Sequence, residues 1–99
     1  MEDALQKFVV DCQGVTNVGE LWQRYVDITR PEGANLFGRN LDAFWDAVEG
    51  GGPGWPGNCE LFFTNSEALK HLRDTDGPAF LEALQDIART CERTRIQVT

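Results

Sequence analysis

The run KFVVDC, which follows Gln6, is short, apolar and rich in β-branched residues, and predicts a buried strand. Gly14 breaks it. Thr16 or Asn17 can cap a following helix, with Glu20 placed three residues past Asn17, the capping-box spacing. Leu21, Trp22, Tyr25, Val26 and Ile28 then recur at helical spacing until Pro31 and Gly33 end the segment. Asn40 opens a second, short helix running to about Val48, with Leu41, Phe44, Trp45 and Val48 as its apolar stripe. GGGPGWPGN, residues 50–58, suits neither helix nor strand. A flexible turn from helix to strand accounts for it; Trp55 within it either covers the edge of the core or meets a partner.

CELFF, residues 59–63, predicts a second buried strand. Asn65 or Ser66 is placed to cap a helix ending near Arg73, with Ala68, Leu69 and Leu72 turned inward. Asp76 and Gly77 turn the chain, and Pro78 suits the first position of a longer helix carrying Phe80, Leu81, Leu84, Ile87, Ala88 and Cys91. Ile96 and Val98 alternate in a terminal strand, Thr94 to Val98. The order is β-α-α-β-α-α-β. Strands separated by helices imply parallel pairing and right-handed crossovers. The expectation is a two-layer α/β domain spanning 1–99, a three-stranded parallel sheet packed with about four helices.

At 99 residues there is room for one core. Sixteen acids against nine bases give a net charge of -7 and an isoelectric point near 4.5. That balance argues against binding nucleic acid or an anionic membrane, both of which need a cationic footprint. No stretch approaches the ~20 apolar residues of a spanning helix, and MEDALQKF lacks the features of a secretory signal. Cys12, Cys59 and Cys91 are widely spaced, form no CxxC pair and have one histidine, His71, for company. The expectation is three free thiols in a reducing cytoplasm, no metal and no cofactor.

Residues 40–50, NLDAFWDAVEG, hold the candidate chemistry. Asp42, Asp46 and Glu49 fall at i, i+4 and i+7, within about 60° of one another around a helix, with Trp45 at the border of the apolar stripe. Like charges at this spacing oppose one another, and Asp46 and Glu49 stand toward the negative end of the helix dipole. No Lys or Arg lies four residues away; Arg39, three before Asp42, is the nearest base. Three readings fit: a solvated face, an anionic face that docks into a cationic cleft, or a catalytic carboxylate pair. The last is disfavoured, because general acid catalysis needs a carboxyl in an apolar hollow and a convex helix gives both groups to water.

LFGRNLDAFWDAVEGG, residues 36–51, closely resembles the inhibitory segment of the barstar family, intracellular inhibitors of secreted microbial ribonucleases. Gly38, Asn40, Leu41, Asp42, Ala43, Trp45, Asp46 and Ala47 keep the family's register without a gap. The resemblance covers the whole chain and implies the same α/β fold. It implies a non-enzyme that binds a small extracellular, guanyl-specific ribonuclease one to one and is a monomer when free. Asp46 would take the place of the substrate phosphate, and Asp42 would pair with neighbouring cations. Leu36, Asn40, Leu41, Trp45, Glu49 and Gly50 match the surrounding contact positions, and Asp86 aligns, more loosely, with an acidic contact on the long helix. An interaction module without nuclease inhibition is the alternative. The chain departs from the family pattern at Leu36, where an aromatic is usual, at Arg39, where an acid is frequent, at Gly51, which replaces an aromatic, and in its longer, glycine-rich loop.

Overall fold

The computed structural model describes residues 6–72 and 79–99. Strand β1 (Gln6–Asp11) is followed by helix α1 (Val18–Thr29), a 3₁₀ turn (Ala34–Leu36), helix α2 (Leu41–Gly50), strand β2 (Cys59–Thr64), a second 3₁₀ segment (Ser66–His71), helix α3 (Phe80–Thr90) and strand β3 (Arg95–Val98). The three strands form one parallel sheet in the order β1-β2-β3. Sequential parallel strands joined by right-handed crossovers put their helices on the same side of the sheet. The result is the expected two-layer α/β arrangement.

The sheet's two faces differ accordingly. Cys59, Leu61 and Phe63 of β2 are buried, while Glu60, Phe62 and Thr64 between them are only half-buried. The strand register aligns Leu61 with Phe8 and Ile96, and Phe63 with Val10 and Val98, in the rows beneath the helices. On the other side run Lys7, Glu60 and Arg95, then Val9, Phe62 and Gln97. The sequence predicts a buried β1, and the structure corrects this. Val10 is its only buried residue and Val9 is 51% exposed. An apolar run reads the same whether one face or both are covered, and here the helices cover one.

Asn17 caps α1 by accepting from the Glu20 N–H at 2.9 Å. Glu20 in turn accepts from the Thr16 N–H at 2.7 Å and the Thr16 hydroxyl at 3.0 Å, so the capping box closes one residue earlier than its usual form. Ile28, expected on the inner stripe, is 46% exposed, and Thr29 is buried instead, donating its hydroxyl to Tyr25 O at 2.7 Å.

The helix expected after Asn65 is 3₁₀ instead. Asn65 adopts a left-handed conformation (φ 55°) and does not cap it; its amide donates to Asp11 Oδ1 at 2.8 Å, tying β1 to β2. Ser66 is turned the other way and donates to Thr99 O at 3.0 Å. Leu69 and Leu72 are buried as predicted. The expected turn at Asp76 and Gly77, Pro78 at a helix start, and the helix end at Arg73 lie outside the described residues. Helix α3 begins at Phe80.

The core under the helices is aromatic. Around Trp22, the rings of Tyr25, Phe37, Phe44 and Phe80 stand 5.2–6.0 Å away, three of the four edge-on. Phe44 also meets Phe63 of β2 edge-on at 6.0 Å. Such pairs contribute about 0.5–1.5 kcal/mol each beyond the area they bury. They anchor the inner face of α2 to α1 and to the sheet.

Candidate functional site

Helix α2 is capped at both ends by its own sequence. Asn40, extended at φ -147°, accepts from the Ala43 N–H at 2.7 Å and starts the helix. At the other end Gly51 turns left-handed (φ 75°), and the N–H groups of Gly51 and Gly52 reach back to Ala47 O and Asp46 O, both at 3.1 Å. This is a Schellman ending, and glycine suits its left-handed position. Leu41, Phe44, Ala47 and Val48 are buried. Trp45 is half-buried and makes no ring contact among the described residues, so Ala47 rather than Trp45 completes the inner stripe.

Asp42 and Asp46 are exposed. Among the described residues neither carboxylate accepts a hydrogen bond or forms an ion pair. Arg39, the nearest base in sequence, turns away: its guanidinium donates to Gln23 Oε1 on α1 at 2.8 Å. Side chains four apart on a helix stand about 5–6 Å apart at Cβ, so Asp42 and Asp46 are neighbours on one face of α2.

Glu49 behaves differently. Its Oε1 accepts from the Cys91 thiol at 3.2 Å, the Glu92 N–H at 3.1 Å and the Arg93 N–H at 3.4 Å. These bonds, the thiol's first, and the nearby Arg93 charge hold its pKa below the ordinary value of 4.5. Val48 O beside it accepts from Thr94 Oγ1 at 2.9 Å and, 3.5 Å from the Cys91 sulfur, is an alternative acceptor for the one thiol proton. The sequence does not reveal this cluster, because its donors stand 42 to 46 residues from their acceptors.

The remaining predicted site residues divide by exposure. Leu36 is 72% exposed just ahead of the helix. Leu41 is 7% exposed and belongs to the core. Asn40 is exposed with its oxygen spent on the cap, and Gly50 is exposed with open space where a Cβ would stand. Asp86, on α3, pairs with Arg89 one turn on.

The glycine-rich loop is pinned. Gly54 N–H donates to Glu32 O at 3.2 Å, Gly54 O accepts from the Tyr25 hydroxyl at 2.7 Å, and the Arg93 guanidinium lies over the Trp55 ring, 5.3 Å from its centroid. A shallow cleft of about 450 Å³ runs between residues 29–33 and this loop. A larger hollow of about 710 Å³ lies beside Asn65 and His71. Neither is lined by Asp42 or Asp46. Among the described residues no group of three His, Cys, Asp or Glu side chains is placed to hold a metal ion, and no helix is long and apolar enough to cross a membrane.

A family profile described as Barstar (barnase inhibitor) matches residues 5–99. The chain belongs to the barstar family. No curated protein matches the chain. The family is one of inhibitors rather than catalysts, and its members' partners are ribonucleases. Against the barstar pattern, Arg39 is the departure with the clearest structural account. It is left-handed at φ 55° and is held against α1. Its positive charge is thereby kept from pairing with Asp42.

Proposed function

We propose that this chain inhibits a small, secreted, guanyl-specific ribonuclease of the barnase type by plugging its active site with α2. The observation that carries the reading is the pair Asp42 and Asp46: exposed, one helical turn apart, and without a cationic partner among the described residues, on a helix capped at both ends. A nuclease cleft lined by Arg and His offers such partners. Carboxylates accept short, charge-assisted and often bidentate bonds from Arg, which suits Asp46 to the phosphate position. Asp42 meets neighbouring cations. Leu36, Asn40, Trp45 and Gly50 supply the surrounding contacts, with Asp86 at the edge and Leu41 supporting the helix from beneath. The protein acts in the cytoplasm as a single domain over 1–99, without catalysis or cofactor. It is a monomer when free and binds its nuclease one to one.

The test is inhibition of a barnase-class ribonuclease by the wild type and by Asp46→Ala. Removing one partner of a desolvated charge pair strands the other, at a cost of roughly 2–5 kcal/mol, a range to which the barstar family's own complexes contributed. Asp46→Ala is therefore expected to lose orders of magnitude in inhibition. Its melting temperature is expected to stay level or rise slightly, because the side chain repels Asp42 and opposes the helix dipole. An Asp46→Ala variant that inhibits as well as the wild type overturns the reading.

A further inference from the structure

We propose that Glu49 is a positioning residue: its carboxylate fastens the end of α2 to the turn between α3 and β3 and so sets the direction in which Asp42 and Asp46 face a partner. This rests on the reading of α2 as the docking element, but it gives Glu49 a task different from touching the nuclease. The geometry is specific. One oxygen, Oε1, gathers a thiol and two consecutive backbone N–H groups, all from Cys91, Glu92 and Arg93. The carbonyl of the preceding residue, Val48, is gripped from the same turn by Thr94 Oγ1. The last turn of α2 is thus bound to a neighbouring element through both side chain and backbone.

The need for such a tie follows from the helix itself. Helix α2 has ten residues, and its acidic side is repulsive. Its apolar side sets its depth and coarse rotation against the core, and contacts off that stripe fix the finer rotation about its axis. Recognition of planar, charged groups tolerates errors of about 0.5 Å and 10–20°. Drawing Glu49 sideways onto the turn after α3 resists rotation and also takes a third negative charge away from the pair that docks.

The experiment compares Glu49→Gln and Glu49→Ala. Both remove one negative charge, so electrostatic steering should slow association equally. Gln keeps an acceptor oxygen for the same N–H groups; Ala does not. Dissociation from a barnase-class ribonuclease, followed by stopped flow, should speed up about tenfold or more in Glu49→Ala and stay within about threefold of wild type in Glu49→Gln. In the free protein, amide hydrogen exchange at Glu92 and Arg93 should accelerate in Glu49→Ala alone. Equal faster dissociation in both variants means that the charge faces the nuclease, and overturns the proposal. Unchanged dissociation in both also overturns it, as does exchange that is the same in all three proteins. If the wild type binds no ribonuclease, the functional reading fails, while the exchange experiment still decides whether Glu49 holds the turn.

Discussion

Phe37 lies directly against Gly54. A Cβ built on Gly54 would stand 2.7 Å from Phe37 Cδ1 and 2.9 Å from Cγ, and Gly54 has φ +95°. Phe37 precedes α2 and Gly54 follows it, so this contact, with the Tyr25 hydroxyl on Gly54 O, joins the two loops that flank the acidic helix.

Gly54→Ala should therefore be strongly destabilising. Strain at this φ and the forced overlap with Phe37 each cost about 1–3 kcal/mol. Gly57 provides the control, with φ +86° but nothing within 4 Å of a new Cβ. Thermal melts should show a drop of roughly 10 °C or more for Gly54→Ala and a clearly smaller one for Gly57→Ala. Equal drops would mean that the Phe37 contact carries no weight.

Trp45→Ala separates packing from docking. Full burial of a Trp side chain would imply a loss of about 3–5 kcal/mol on truncation. Trp45 is only half-buried and lies outside the aromatic cluster. A loss nearer 1–2 kcal/mol in urea unfolding is expected, with a larger loss in nuclease affinity. A stability loss matching that of a buried Trp would place the side chain in the core.

The parts of the structure that were legible in the sequence are those whose causes are local. Asn17 and Asn40 cap the helices they precede, and Asp42 and Asp46 share a face because four residues make about one turn. Exposure was less legible. KFVVDC signals a strand but not how many of its faces are covered. The fate of Glu49 was hidden, since its spacing places it with Asp42 and Asp46 while its donors arrive from the turn between α3 and β3. Asn65 was misread for a similar reason: its amide is drawn to Asp11, 54 residues away.

Acid should weaken the fold through three carboxylates. The Asn65 amide, followed by the Gln13 N–H, holds Asp11 below its ordinary value of 3.8; the Thr16 N–H and hydroxyl hold Glu20 below 4.5; the Cys91 thiol, followed by the Glu92 N–H, does the same for Glu49. In each case the unfolded chain binds the proton more readily. The stabilisation is complete above the unfolded values and is lost as the pH falls below them toward the lower folded ones. Urea midpoints should be level near neutrality and decline below about pH 4.5. Glu20→Gln, which cannot titrate, should show a shallower decline; an identical slope would remove Glu20 from the account.

The thiols should react in a fixed order. Burial pushes Cys12 and Cys59 up to about 11 and raises Cys91 as well. Cys12 follows the end of β1, whereas Cys59 starts β2 beside Gln6. A six-residue strand, about 17–20 Å long, therefore separates them, beyond the reach of a disulfide. Native protein should expose Cys91 first to a thiol reagent, with the other two reacting only on unfolding. A denatured, unreduced sample should return all three thiols, and a count of one would reveal a disulfide.

Because α1, α2 and α3 cover one side of the sheet, the proposed docking face and the bare face of the sheet point in opposite directions. Lys7, Val9 and Gln97 stand on that bare face, exposed, with the helix layer between them and the acidic pair. That separation makes the rear of the sheet a natural handle. A fluorophore or a surface linker attached there leaves Asp42 and Asp46 facing outward, so an immobilised protein presents the same charged face as one free in solution.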